Sequence, residues 1–180
     1  MSNRTKIFIL LTLLIMVTFL TGLAARGIAA IHRALSSAFY PPLVPLTPRK
    51  CDSFGCGHYG ASRDGGKRRH KGQDFLCSEG QAVYAPIGGT VTTGAAYADG
   101  RFPELRLVRI TDGPTVVLLM YVQPTVQAGH TVQAGDPIGT AQSLRGRYPG
   151  IPDHVHVEVR LSGVSVDPLP YFTPNKNTPA

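Results

Sequence analysis

An all-β fold is predicted, an antiparallel sheet folded over itself, and three features of the sequence predict it. Val155, Val157, Val159 and Leu161 alternate with polar residues, the period-two pattern of a strand with one buried face. Asp112-Gly113-Pro114 separates two apolar runs, a strong hairpin signal. The chain carries 20 glycines and 15 prolines in 180 residues, which favours turns and short strands, and no segment after Cys77 has a helical period of useful length.

The elements follow in order. Arg4 and Lys6 precede Ile7 to Ala25, 19 residues without a charge. As a helix this stretch covers about 28 Å, close to the thickness of a hydrocarbon core. A secretory h-region is shorter, about 7–15 residues. Residues 1–26 are therefore read as a transmembrane signal-anchor in preference to a cleaved signal, although small residues at Ala24-Ala25 and Ala29-Ala30 leave cleavage open. The leading charges favour a cytoplasmic N-terminus, so the rest of the chain is exported. Residues 27–50 are read as a juxtamembrane helix, from Gly27 to Ser37, and a stiff Pro-rich linker around Pro41 to Pro48 that lies outside the core. The folded domain is expected over residues 51–172, with 173–180 as a tail. Within it, strands are expected at Ala82 to Pro86, Thr90 to Thr93, Leu105 to Thr111, Thr115 to Tyr121, Ile138 to Ala141 and Val155 to Leu161.

The net charge is +7. A basic balance fits nucleic acid, an anionic membrane or a polyanionic wall. Apart from Lys67-Arg68-Arg69 the basic residues are scattered, and no nucleic-acid motif is present, so nucleic acid is not an expected partner. The short basic run is read as a solvated loop rather than a polyanion contact.

Two clusters carry metal chemistry. On the last strand His154, His156 and Glu158 share the face opposite the valines. Earlier, His70 and Asp74 share a face if the segment is extended, with Gly72 between them leaving an open space where an ion could sit. Two histidines and one carboxylate are a recurrent catalytic zinc set that leaves the fourth position for water. Zinc lowers the pKa of such a water to about 7 and makes it a nucleophile. Spacing alone leaves a partly exposed polar face with incidental histidines as the competing reading.

The ordered motifs His70-x-x-x-Asp74, Gly80-x-x-Val83-x-Ala85-Pro86-x-x-Gly89-x-Val91, Val132-x-x-Gly135-x-x-x-Gly139 and His154-x-His156 resemble the lysostaphin/LytM-type zinc endopeptidases over about Asp52 to Phe172. The segment Cys51 to Arg63, and Tyr148-Pro149-Gly150-Ile151 before the last strand, resemble the branch of leukocyte cell-derived chemotaxin-2 and its bacterial relatives. The resemblance implies a folded antiparallel sheet of the LytM core type, preceded here by one N-terminal transmembrane helix. It implies zinc held by His70, Asp74 and His156, His154 as general base or proton carrier, and peptidoglycan cross-link peptides as substrate. Arg63 and Tyr148 become candidate substrate contacts, with ordinary surface packing as the alternative. The expected setting is a bacterial inner membrane, crossed once by the N-terminal helix, with the C-terminal domain periplasmic or extracellular.

One departure stands out. Active members carry a second catalytic histidine in a Tyr-x-His-Leu segment, and the equivalent stretch here is Tyr121-Val122-Gln123-Pro124. Gln123 is therefore the expected occupant of that position, able to donate a hydrogen bond but not to carry a proton. His130 and His58 are weaker substitutes. A Cys51–Cys56 disulfide is expected in an exported domain and is implied by the chemotaxin-like segment, which leaves Cys77 as a buried thiol. Three functions follow: a zinc hydrolase acting on wall peptides, a zinc-holding binding or regulatory module weakened or without turnover, and a biotinyl-carrier-like domain. The last needs a lysine at a hairpin tip, and none occurs between Val91 and Ala141.

Overall fold

The computed structural model describes residues 39–172. The expected membrane anchor, the juxtamembrane helix and the C-terminal tail lie outside the described residues. Among those described, no helix is long and apolar enough to cross a membrane.

In chain order the strands are β1 (Thr47–Pro48), β2 (Cys51–Asp52), β3 (Gly55–Cys56), β4 (Ser62–Arg63), β5 (Arg68–Arg69), β6 (Gln73–Leu76), β7 (Ala82–Tyr84) and β8 (Gly89–Ala95). They continue with β9 (Arg106–Asp112), β10 (Thr115–Met120), β11 (Val122–Pro124), β12 (Thr131–Val132), β13 (Pro137–Ala141), β14 (His154–Leu161) and β15 (Val164–Val166). A single helical turn, α1 (Leu169–Phe172), ends the described chain. The main sheet runs β1-β6-β14-β10-β9-β8-β12, with β15 also on β14, and β11-β13-β7 form a second small sheet. Every pairing in both is antiparallel. The all-β expectation holds.

The period-two pattern of β14 places it centrally, between β6 and β10. Val155, Val157 and Val159 are fully buried in the core with Phe75, Val108, Ile110, Val117 and Leu119. The opposite face is buried too: His154, His156 and Glu158 are each under 9% exposed. This sheet therefore carries an apolar core on one side and a polar floor on the other. The β9–β10 hairpin forms where expected, with Asp112 paired to Thr115 across Gly113-Pro114. A second hairpin was not anticipated. Ser162 and Gly163 both take positive φ, 49° and 82°, which suits a two-residue turn and lets β15 fold back on β14. Ser-Gly between apolar runs was the signal for it.

The Pro-rich segment is not a linker in its described part. Leu43 is 0% exposed and belongs to the core. β1 pairs with β6, and the backbones of Tyr40 and Pro42 bond to Pro86 and Tyr84. Proline is tolerated here because β1 is an edge strand, where a missing N–H breaks no ladder. Prolines restrict the chain without keeping it off the core.

Truncating Leu43 tests this placement. Leu43→Ala is expected to cost about 2–5 kcal/mol, as for a buried core leucine, read as a lower urea midpoint of the purified chain. A loss under about 1 kcal/mol would return the segment to linker status.

Candidate metal centre

Register brings the two sequence clusters together. Asp74 on β6 lies directly opposite His156 on β14, and Met120 of β10 flanks His156 on the other side. His70 comes from the turn before β6, where Gly72 passes tightly under β14. A Cβ at Gly72 would stand 2.3 Å from the Val157 carbonyl oxygen and 2.8 Å from the His156 ring. Gly72 is thus required by close approach of the backbone, and the space beside it is filled, contrary to the expected opening for an ion.

Three donor atoms converge. His156 Nδ1 is 2.9 Å from Asp74 Oδ1 and 2.9 Å from His70 Nε2, and His70 Nε2 is 3.3 Å from Asp74 Oδ1. Around a tetrahedral ion with ligands near 2.1 Å, adjacent donors stand about 3.4 Å apart. The spacing fits zinc, slightly contracted. The outer nitrogens settle the tautomers. His70 Nδ1 donates to the His58 carbonyl at 2.8 Å, and His156 Nε2 faces Glu158 Oε1 at 3.4 Å. His154 Nδ1 donates to the Pro152 carbonyl at 2.7 Å, which leaves its Nε2 lone pair 3.7 Å from Asp74 Oδ2. Each imidazole therefore has an acceptor on its outer nitrogen and turns the other inward, the arrangement that supports metal-binding histidines. The residues present fit the metal.

Asp74 has a partner that the sequence reading missed. Arg49, 6% exposed, donates from Nη1 to Asp74 Oδ2 at 3.2 Å and from Nη2 to Asp52 at 2.7 Å. Asp52 lies in the loop closed by the Cys51–Cys56 disulfide, which is formed as expected. Cys77 is a free, half-buried thiol, and burial with the nearby Asp153 charge pushes it up to about 12.

The cleft above these groups holds about 460 Å³ and is lined by both candidate substrate contacts, Arg63 and Tyr148. Gln123 is not part of it. It sits on β11, exposed, paired with Thr140 in the second sheet. The residue facing the cleft is Tyr121, with φ of +67° between β10 and β11. Its ring meets His154 edge-on at 5.5 Å, and its hydroxyl bonds that of Tyr97 at 2.7 Å, which in turn bonds Tyr148 at 2.8 Å. The left-handed residue resets side-chain alternation, so counting from Tyr121 to Gln123 gives the wrong face. His58 and His130 are both exposed, and neither lines the cleft.

Protonation follows from these contacts. Burial opposes charge on His156, but hydrogen bonds with Asp74 and Glu158 outweigh it and raise the imidazole to about 9. Burial likewise opposes charge on Asp74 and Glu158. The histidines hold Asp74 well below the carboxylate range, and His156 with Arg160 brings Glu158 to about 2. His154 is lowered, chiefly by burial. Without metal, the proton on His156 Nδ1 takes the place of the cation. A raised histidine stabilises the fold fully below its unfolded value near 6.5 and loses that contribution as pH rises through the folded value. His154, neutral in both states above that pH, adds nothing there. With chelator present, unfolding stability is expected to fall by on the order of 2 kcal/mol between about pH 6.5 and pH 9. Urea midpoints measured across that range check it, and a flat profile would contradict the His156–Asp74 pairing.

The family model described as peptidase family M23 matches residues 68–168. Leukocyte cell-derived chemotaxin-2 of Mus musculus is 37% identical over 124 residues, covering 69% of this chain and 78% of its own. Among solved structures, lysostaphin in solution aligns with a TM-score of 0.56 at 21% identity, covering 79% of this chain and 62% of its own. A zinc-containing peptidase from Vibrio cholerae aligns at 0.52 and 20% identity, over 77% of this chain and 40% of its own. The two structures share the fold, and this chain spans less than two thirds of either. With the family model covering more than half of its length, the chain belongs to peptidase family M23.

Proposed function

We infer that this chain binds zinc through His70, Asp74 and His156 and hydrolyses peptide bonds in peptidoglycan cross-links, at a bacterial inner membrane to which residues 1–26 tether it. The observation that carries the reading is the convergence of two imidazole nitrogens and a carboxylate oxygen within 2.9–3.3 Å, each imidazole held from behind. When bound, zinc would act as a Lewis acid toward the peptide carbonyl and toward water. The chain's own groups do the rest. His154, kept neutral by burial, presents Nε2 to take a proton from the attacking water and return it to the leaving amine. Tyr121, pushed up to about 12 by burial, stays a phenol and donates a hydrogen bond to the developing oxyanion. That Arg63 and Tyr148 both line the cleft supports a role for them in holding the peptide. The wall substrate is supported by the likeness to lysostaphin-type enzymes and by the basic charge.

A second reading has a specific observation behind it. Among the described residues the cleft holds no imidazole beyond His70, His154 and His156, and the mouse relative is named a chemotaxin, not a peptidase. The domain would then keep zinc as a structural element and bind without turnover.

One set of measurements decides. The purified chain is expected to hold about one zinc per molecule, and His156→Ala about none. Peptidoglycan digestion should be slow, abolished by chelator, and about tenfold or more faster in Tyr121→His, which restores a second imidazole. Gln123→His should change nothing, since Gln123 is exposed on β11 and does not line the cleft. Stoichiometric zinc with no digestion by the native chain or by Tyr121→His would establish the second reading.

A further inference from the structure

The basic run Lys67-Arg68-Arg69, expected as a solvated loop, lies on the lip of the cleft. β4 and β5 form a small hairpin in which Arg63 stands directly opposite Arg68, and Ser62 opposite Arg69. Like charges in register across a strand pair destabilise it. Asp64 answers one of them, bonding Arg68 at 2.5 Å. The chain then continues through Arg69, His70 and Lys71 into the metal centre. Six cationic side chains line the cleft: Arg49, Arg63, Arg68, Arg69, Lys71 and Arg101. Three are answered by carboxylates, Arg49 by Asp52 and Asp74, Arg68 by Asp64, and Arg101 by Asp99. The carboxylates of the floor are themselves occupied, Asp74 by Arg49 and the histidines, Glu158 by Arg160.

Arg63, Arg69 and Lys71 have no carboxylate partner among the described residues. Arg63 is nonetheless positioned. Its guanidinium donates to the carbonyls of Cys56 at 2.8 Å and Ser62 at 3.2 Å, contacts that fix it without cancelling its charge. Arg69 reaches the Gly60 carbonyl in the same way. Arg101 stands over the Tyr97 ring, with its charge 4.5 Å from the centroid. Arg63, Arg68, Arg69 and Arg101 thus border one cleft.

We propose that the cleft selects peptides bearing free carboxylates, held on the β4–β5 wall by Arg63, Arg69 and Lys71, and that uncharged peptides such as an oligoglycine bridge are poor ligands. The size of the site favours a short peptide over a long polyanion. A volume of about 460 Å³ admits a few residues, whereas the remaining basic residues are scattered and offer no continuous track for a polymer. The proposal rests on the peptidase-type reading only for where a scissile bond would lie; the charge preference concerns binding alone.

Binding therefore tests it apart from turnover. The zinc-loaded full chain is titrated with fluorescent tetrapeptides of equal length, one with two glutamates, one of glycine only and one with two lysines. Retention of the acidic peptide is expected to be at least about tenfold tighter than that of the glycine peptide, consistent with one or two charge-assisted hydrogen bonds. The combined R63Q, R69Q and K71Q substitutions should erase the preference while zinc content and thermal unfolding stay unchanged. R109Q, an exposed charge on β9 outside the cleft, should leave the preference intact. If the triple substitution perturbs folding, R63Q alone still should cut the preference at least threefold. Equal retention of the three peptides, or a preference that survives charge removal, would overturn the proposal even if peptides are hydrolysed. Preference for acidic peptides together with no digestion of peptidoglycan would uphold it and defeat the peptidase reading instead. Tight binding of long polyglutamate by several chains at once, with no gain for the acidic tetrapeptide, would overturn it in favour of a polymer-binding surface.

Discussion

Asp74 is 3% exposed, and a carboxylate taken that far out of water costs several kcal/mol unless charges and donors surround it. Its two oxygens are served from different directions. Oδ1 faces the imidazoles of His70 and His156, and Oδ2 receives the guanidinium of Arg49. Its backbone is clamped as well, donating to the Gly57 carbonyl at 2.8 Å and accepting from Arg49 N–H at 2.8 Å. The same residue thus fixes the strand before the disulfide loop, the loop's far end and the central strand of the sheet. Removing Arg49 would leave a buried carboxylate half answered, and removing the histidines would leave it facing a void.

The site can be this polar because of what lies on the other side of the sheet. β14 alternates valine with histidine and glutamate, so each strand residue serves either the packed core or the polar floor. A close-packed apolar layer resists deformation and holds side chains in fixed rotamers. The donor atoms of His156 and Asp74 inherit that rigidity through direct cross-strand pairing. The cleft walls are built differently. They come from the β4–β5 hairpin and from the Tyr97, Tyr121 and Tyr148 hydroxyls, which are polar contacts on loops, the usual place for residues that read a ligand. A rigid floor with chemically varied walls lets binding preference change without disturbing the geometry of the donor atoms.

Much of this was legible in the sequence because it obeys local rules. The valine alternation of β14, the Asp-Gly hairpin and the shared face of His154, His156 and Glu158 all follow from a period of two. What failed involved contacts distant in sequence or breaks in that period. Arg49 lies among prolines, and nothing local to it announces a partner 25 positions away. Gly72 was read as leaving room for an ion, whereas pairing with β14 brings the Val157 carbonyl into that space. Leu43 looked like linker because proline spacing describes chain stiffness and says nothing about what the stiff segment packs against. The choice between Gln123 and Tyr121 turned on a single φ of +67°, which no spacing rule carries.

That left-handed tyrosine bears on how the site divides its chemistry. A non-glycine residue at such a φ costs on the order of 1–2 kcal/mol, and it persists only where surrounding contacts hold it. Here the hydroxyl chain through Tyr97 to Tyr148 and the edge of His154 hold it. The strained residue presents its phenol to the cleft, beside the His154 ring. A phenol raised to about 12 keeps its proton at neutral pH, so it can donate a hydrogen bond but cannot serve as a base there. Under the proposed hydrolysis, proton transfer would fall on His154 alone, whose Nδ1 is tied to the Pro152 carbonyl and whose Nε2 is left to receive and return the proton. On the proposed reading, a centre with one proton carrier in place of two would be limited in turnover by the step that needs the second, while its converging donors would still suit a metal.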